Sequence, residues 1–222
     1  MDSECIRKIK KNSKKETSAF LSGGNIHNLS FMKHNTHVDY LSAMYNEISD
    51  LKPLTGNKTI SVLCLSKNMI WDLTPLKWSN ITKILVADNR IDDVTPLSFI
   101  QTLKFIDVSF NRIQDISPLR QLQNLKHLDV SNNLIEDISS ISPSISTLFI
   151  PRNYITDVDV LVVSTTIRRC NIAGNPVTDI TFKMELLRDV CGFNFVNKRN
   201  LRITLFNLLQ HELICPIYLR DT

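Results

Sequence analysis

Apolar residues in this chain fall in one recurring arrangement: apolar, two variable, apolar, one variable, apolar, two variable, asparagine. It runs through Ile81, Ile84, Val86 and Asn89, then Leu103, Ile106, Val108 and Asn111, then Leu125, Leu128, Val130 and Asn133. The full series of asparagines is Asn46, Asn68, Asn89, Asn111, Asn133, Asn153 and Asn175, at spacings of 20 to 22 residues. Counted from the first apolar position, units start at Val38, Ile60, Ile81, Leu103, Leu125, Ile145 and Ile167. The alternation before each asparagine has the two-residue period of a strand. It sends Ile106 and Val108 to one side and Phe105 and Asp107 to the other.

The half after each asparagine is equally regular, as in Ile113, Asp115, Ile116, Pro118 and Leu119. Thr74-Pro75, Thr95-Pro96 and Ser117-Pro118 predict an N-cap followed by proline at the first helical position, starting a short helical or 3₁₀ turn. Ser140 and Val160 stand where the proline is expected, so those turns should be less regular. The asparagine falls where the chain turns inward, and a buried side-chain amide there can satisfy backbone groups. Asp50, Asp72, Asp93, Asp115, Asp137, Asp157 and Asp179 share the period, which marks them as structural groups bonding backbone at each turn.

A two-part unit repeated at this period resembles the leucine-rich repeat, in its 22-residue SDS-type class. The resemblance rests on residues 38–180 and implies an α/β solenoid: an arc with a parallel concave sheet, short 3₁₀ or helical turns on the convex side, and a helical C-terminal cap. Residues 1–15 read as a basic N-terminal arm. Residues 16–37 read as an N-terminal cap or degenerate repeat, because Ala19, Leu21, Gly24, Ile26, Asn28 and Leu29 match one register earlier; a plain helix or loop is the alternative. Seven repeats fill 38–180. A C-terminal cap and extension over 181–222 follows the Gly174-Asn175-Pro176 turn, with Phe182, Leu186, Leu187 and Val190 at helical spacing.

The net charge of +4 is unevenly placed. Arg7, Lys8, Lys10, Lys11, Lys14 and Lys15 outweigh Asp2 and Glu4 in the arm, whereas residues 16–222 balance to zero. Basic blocks of this kind act as nucleic-acid or targeting arms, or as solvated tails. Lys198, Arg199 and Arg202 form a second basic cluster before an apolar segment with Leu205, Leu208, Leu209 and Ile214. No apolar run approaches a membrane span of roughly 18 residues. The five cysteines are odd in number and unpaired in spacing, which points to a reducing compartment, cytoplasm or nucleus. Phosphate loops, nucleophile elbows and metal-ligand spacings are absent, His34 and His37 having no partner ligands nearby in sequence. The expectation is a non-enzymatic protein without cofactor or metal.

The binding surface is then the variable positions of the concave strands: Tyr40 and Ser42, Val62 and Cys64, Lys83 and Leu85, Phe105 and Asp107, His127 and Asp129, Thr147 and Phe149, Arg169 and Asn171. Phe105, Asp107, His127, Asp129 and Phe149 should cluster mid-arc, flanked by Lys83 and Arg169, with Tyr40 near the start. Aromatic anchors beside charges are the composition of protein hot spots. The resemblance further implies a protein partner on this face, the catalytic subunit of protein phosphatase type 1, with Phe105, Asp107, Asp129 and Phe149 as contacts. A ribosomal or spliceosomal ribonucleoprotein is the alternative, the arm and the Lys198–Arg202 cluster contacting RNA; the spliceosomal A-prime protein is similar in its short capped array.

Overall fold

The computed structural model describes residues 17–177. The basic arm, the C-terminal cap and extension, Asp179, Lys198, Arg199 and Arg202 lie outside the described residues.

Eight three-residue strands form one parallel sheet in sequence order. They are β1 (Ser18–Phe20), β2 (Tyr40–Ser42), β3 (Val62–Cys64), β4 (Lys83–Leu85), β5 (Phe105–Asp107), β6 (His127–Asp129), β7 (Thr147–Phe149) and β8 (Arg169–Asn171). Each pairs residue for residue with the next, so one position in every unit lines up into a row across the sheet. The central residue of each strand points inward. Leu41, Leu63, Ile84, Ile106, Leu128 and Leu148 are at most 1% exposed. Burying such a side chain stabilises the fold by about 1.5–3 kcal/mol, and here its contacts come from the neighbouring units. Residues 16–37, open between a degenerate unit and a loop on sequence grounds, contain β1 in register with β2.

Opposite the sheet lie short 3₁₀ turns at Ser30–Met32, Lys52–Leu54, Thr74–Leu76, Thr95–Phe99 and Ser117–Gln121. The threonines and serines before proline are not the caps. They are the first residues of the turns, and the residue before them makes no side-chain cap bond. The capping oxygen comes from the aspartate two positions earlier: Asp72 Oδ1 accepts from Thr74 N at 2.8 Å, Asp93 from Thr95 at 2.7 Å and Asp115 from Ser117 at 2.7 Å. Asn28 does the same for Ser30 at 3.1 Å. Where Ser140 replaces proline no helical turn forms, and where Val160 replaces it the chain makes α1 (Asp159–Val163) instead.

Each repeat asparagine staples two units. Asn133 Oδ1 accepts from Ile113 N of the preceding unit at 3.0 Å, while its Nδ2 donates to Val108 O at 3.1 Å and to Val130 O at 3.0 Å. The residue just before it turns left-handed in unit after unit, as at Lys67 (φ 59°), Phe110 (φ 53°) and Asn132 (φ 53°). A second ladder, which the repeat pattern did not announce, runs along the edge where chains enter the strands. Asn57 Nδ2 donates to Asn35 O at 3.2 Å, Asn80 to Lys58 O at 3.0 Å and Asn124 to Gln101 O at 2.9 Å.

Candidate functional site: the open face of the sheet

Because the strands pair in register, the outward side chains form two rows. One row reads Tyr40, Val62, Lys83, Phe105, His127, Thr147, Arg169, and the other Ser42, Cys64, Leu85, Asp107, Asp129, Phe149, Asn171. The rows bring together Lys83, Phe105, His127, Asp107, Asp129 and Phe149. Arg169 is two strands from His127 at the exposed end of the first row. Tyr40 belongs to a separate group, three strands from Phe105: its ring lies 5.2 Å from Phe20, and its hydroxyl receives the Cys64 thiol at 3.9 Å. The Cys64 contact holds the Tyr40 hydroxyl above its ordinary pKa. Ser42 and Cys64, expected on the exposed face, are only 6% and 3% exposed; short side chains there sink between their larger neighbours.

The centre of the face is a run of rings. Phe105 and His127 stack with centroids 3.9 Å apart and planes at 5°. His127 meets Phe149 edge-on at 5.4 Å and 73°, and Lys83 Nζ sits 4.5 Å above the Phe105 ring. Beside the rings, Asp107 and Asp129 are direct cross-strand neighbours. Each is held by a serine two residues on. Asp107 Oδ1 accepts from Ser109 N at 3.0 Å and from Ser109 Oγ at 2.7 Å, and Asp129 Oδ1 accepts from Ser131 N at 2.9 Å and from Ser131 Oγ. Ser109 and Ser131 are therefore positioning residues that the sequence reading passed over. The signal was the repeated Asp-Val-Ser of β5 and β6.

Electrostatics follow from this crowding. Burial pushes the Asp129 carboxyl up, and the Asp107 charge adds to it against the Ser131 bonds. Burial pushes the His127 imidazole down, an effect opposed by Asp107 and reinforced by Lys83. Neutral imidazole is thus the form stacked on Phe105 at neutral pH. No cluster of three or more His, Cys, Asp or Glu side chains suited to a metal occurs among the described residues. No helix among them is long and apolar enough to cross a membrane.

A family model described as leucine-rich repeats in two copies matches residues 101–143, the stretch that holds β5 and β6. The chain folds as a leucine-rich repeat solenoid. Similar solved structures agree. The solenoid superposes on internalin C2 of Listeria monocytogenes with a TM-score of 0.73 at 22% identity, over 80% of this chain and 85% of that one. Internalin InlF of the same organism gives 0.61 at 23% identity, over 84% and 65%. The plant peptide hormone receptor RGFR1 in complex with RGF2 gives 0.59 at 20% identity, over 67% and 26%. No curated protein matches the solenoid's sequence.

Proposed function

We propose that this protein is a non-enzymatic interaction scaffold that docks a protein partner on the open sheet face. The observation that carries the reading is the ring run Phe105, His127 and Phe149, bracketed by Lys83 and the Asp107–Asp129 pair. Rigid aromatic anchors that lose little entropy on contact, next to desolvated charges, are what concentrates binding energy at protein interfaces. A plant receptor of similar fold was solved in complex with RGF2, which fits an array used for recognition. The catalytic subunit of protein phosphatase type 1 is the partner that the SDS-type resemblance suggests.

The direct test is calorimetric titration with that subunit, comparing wild type with Phe105→Ala/Phe149→Ala. Loss of binding at an unchanged melting temperature supports the reading, and equal binding by the variant removes it. A ribonucleoprotein role is the second reading, supported by the excess of cations in residues 1–15. Sedimentation of the native complex with and without ribonuclease separates the two: collapse of a large particle favours RNA, and a small insensitive complex favours the sheet face.

A further inference from the structure

The balance of charge over residues 16–222 hides a separation that only the fold exposes. Segments that enter the strands lie on one edge of the stack, and segments that leave them lie on the other. Along the entering edge stand Lys33, Lys58, Lys77, Lys104, Lys126 and Arg168 against a single acid, Asp39. Along the leaving edge ten carboxylates, among them Asp88, Asp92 and Asp93, face four cations. None of the six entering-edge cations pairs with a carboxylate among the described residues; Lys126 Nζ rests on Ser144 O at 3.2 Å. The edge is also fixed in shape, since Asn57, Asn80 and Asn124 tie consecutive units together there.

We propose that this entering edge is a contact surface for the phosphate backbone of RNA, independent of the N-terminal arm and of the sheet face. Eight strands at about 4.8 Å give an edge roughly 34 Å long, long enough to run beside several consecutive phosphates of one RNA strand. A row of uncompensated cations at this length therefore meets several phosphates at once. Two further features favour RNA over an acidic protein surface. Trp78, on the same edge beside Lys77, is 62% exposed and propped edge-on against Phe99 at 4.9 Å, which leaves ring surface for stacking an unpaired base. Lys33, His34, Asn57 and Lys58 line a depression of about 360 Å³ without any carboxylate, a seat for a phosphate group.

The test is fluorescence anisotropy of full-length protein with a mixed-sequence single-stranded RNA across a salt series. Lys104→Gln/Lys126→Gln/Arg168→Gln should weaken binding at least about tenfold and flatten the slope of log affinity against log salt by about 2, at about 0.7 per lost contact. The matched leaving-edge variant Lys67→Gln/Arg90→Gln/Arg112→Gln should retain wild-type affinity and slope. In a Trp71→Phe background, RNA should quench Trp78 emission. Equal losses in both triple variants, loss only on deleting residues 1–15, or polyglutamate competing as well as RNA would each overturn the proposal. All six exchanged side chains are exposed, and a melting curve for each variant separates misfolding from lost contact. The Phe105/Phe149 reading stands or falls separately, because neither ring lies on this edge.

Discussion

Phe105 and His127 lie face to face, 3.9 Å apart and within 5° of parallel. That stack puts a titratable group at the centre of the open sheet face, so its protonation is measurable. By NMR titration the His127 pKa should fall below the ordinary 6.5. Asp107→Asn should lower it further, because that carboxylate favours the charged ring, and Lys83→Met should raise it. A His127 that titrates normally in all three proteins would contradict the burial of the ring.

The same shift fixes a pH dependence of stability. Unfolded His127 takes a proton near 6.5 and folded His127 only below that, so the unfolded chain binds more protons in between. Its contribution is whole above 6.5 and is lost as pH falls towards the depressed folded value. Asp129 works in the opposite sense: raised above 3.8, it takes its proton first in the folded state, so stability rises as pH falls through that window. Urea melts of His127→Gln should show a weaker decline between neutrality and mild acid than wild type. Those of Asp129→Asn should lack the opposing gain.

Asn133→Ala removes acceptor and donors at once: Ile113 N, on a residue 0% exposed, loses its partner, while Val108 O keeps the bond from Asn111 Nδ2 at 3.0 Å. At about 1–3 kcal/mol for a buried orphan, the loss should be about 2 kcal/mol by urea denaturation. A loss under about 1 kcal/mol would mean that neighbouring groups take over those bonds.

Asp115→Ala deletes the cap on Ser117 N and the bond from Ser117 Oγ at 2.9 Å. The cost should be about 1 kcal/mol, with partner and RNA affinity unchanged. Reduced affinity at unchanged stability would turn these aspartates from caps into contacts.

Phe110 holds a left-handed backbone, φ 53°, with its ring 53% exposed. Asn132 occupies the same place one unit later, φ 53°, with a side chain that tolerates this conformation. Phe110→Asn should therefore stabilise by about 0.5–1 kcal/mol in thermal melts, and destabilisation would show the ring packing more than its exposure indicates.

The period of the apolar residues made the strands, the inward row and the asparagine staples legible, because each depends only on local alternation and on one buried amide. It also placed Phe105, Asp107, His127, Asp129 and Phe149 as candidates. What sequence left hidden depends on neighbours. The Phe105–His127 stack requires the zero-offset register of β5 and β6. The sinking of Ser42 and Cys64 depends on the bulk of adjoining side chains. Thr74 was read as a cap because it precedes proline, yet it is the first residue of the turn, and its own N–H is taken by Asp72 Oδ1. The two-edged charge pattern was invisible because Lys104 and Asp93 cancel in a running sum while standing on opposite sides of the molecule.

The asparagine staples carry one more consequence. Since each amide spans a seam between units, the solenoid comes apart seam by seam, and opening from an end needs no disturbance of the middle. A partner lying across Phe105, His127 and Phe149 would bridge the seams between β5, β6 and β7 like a splint on a jointed rod. Occupancy of the face would then register in amides far from the rings, as slower hydrogen exchange along the units on either side.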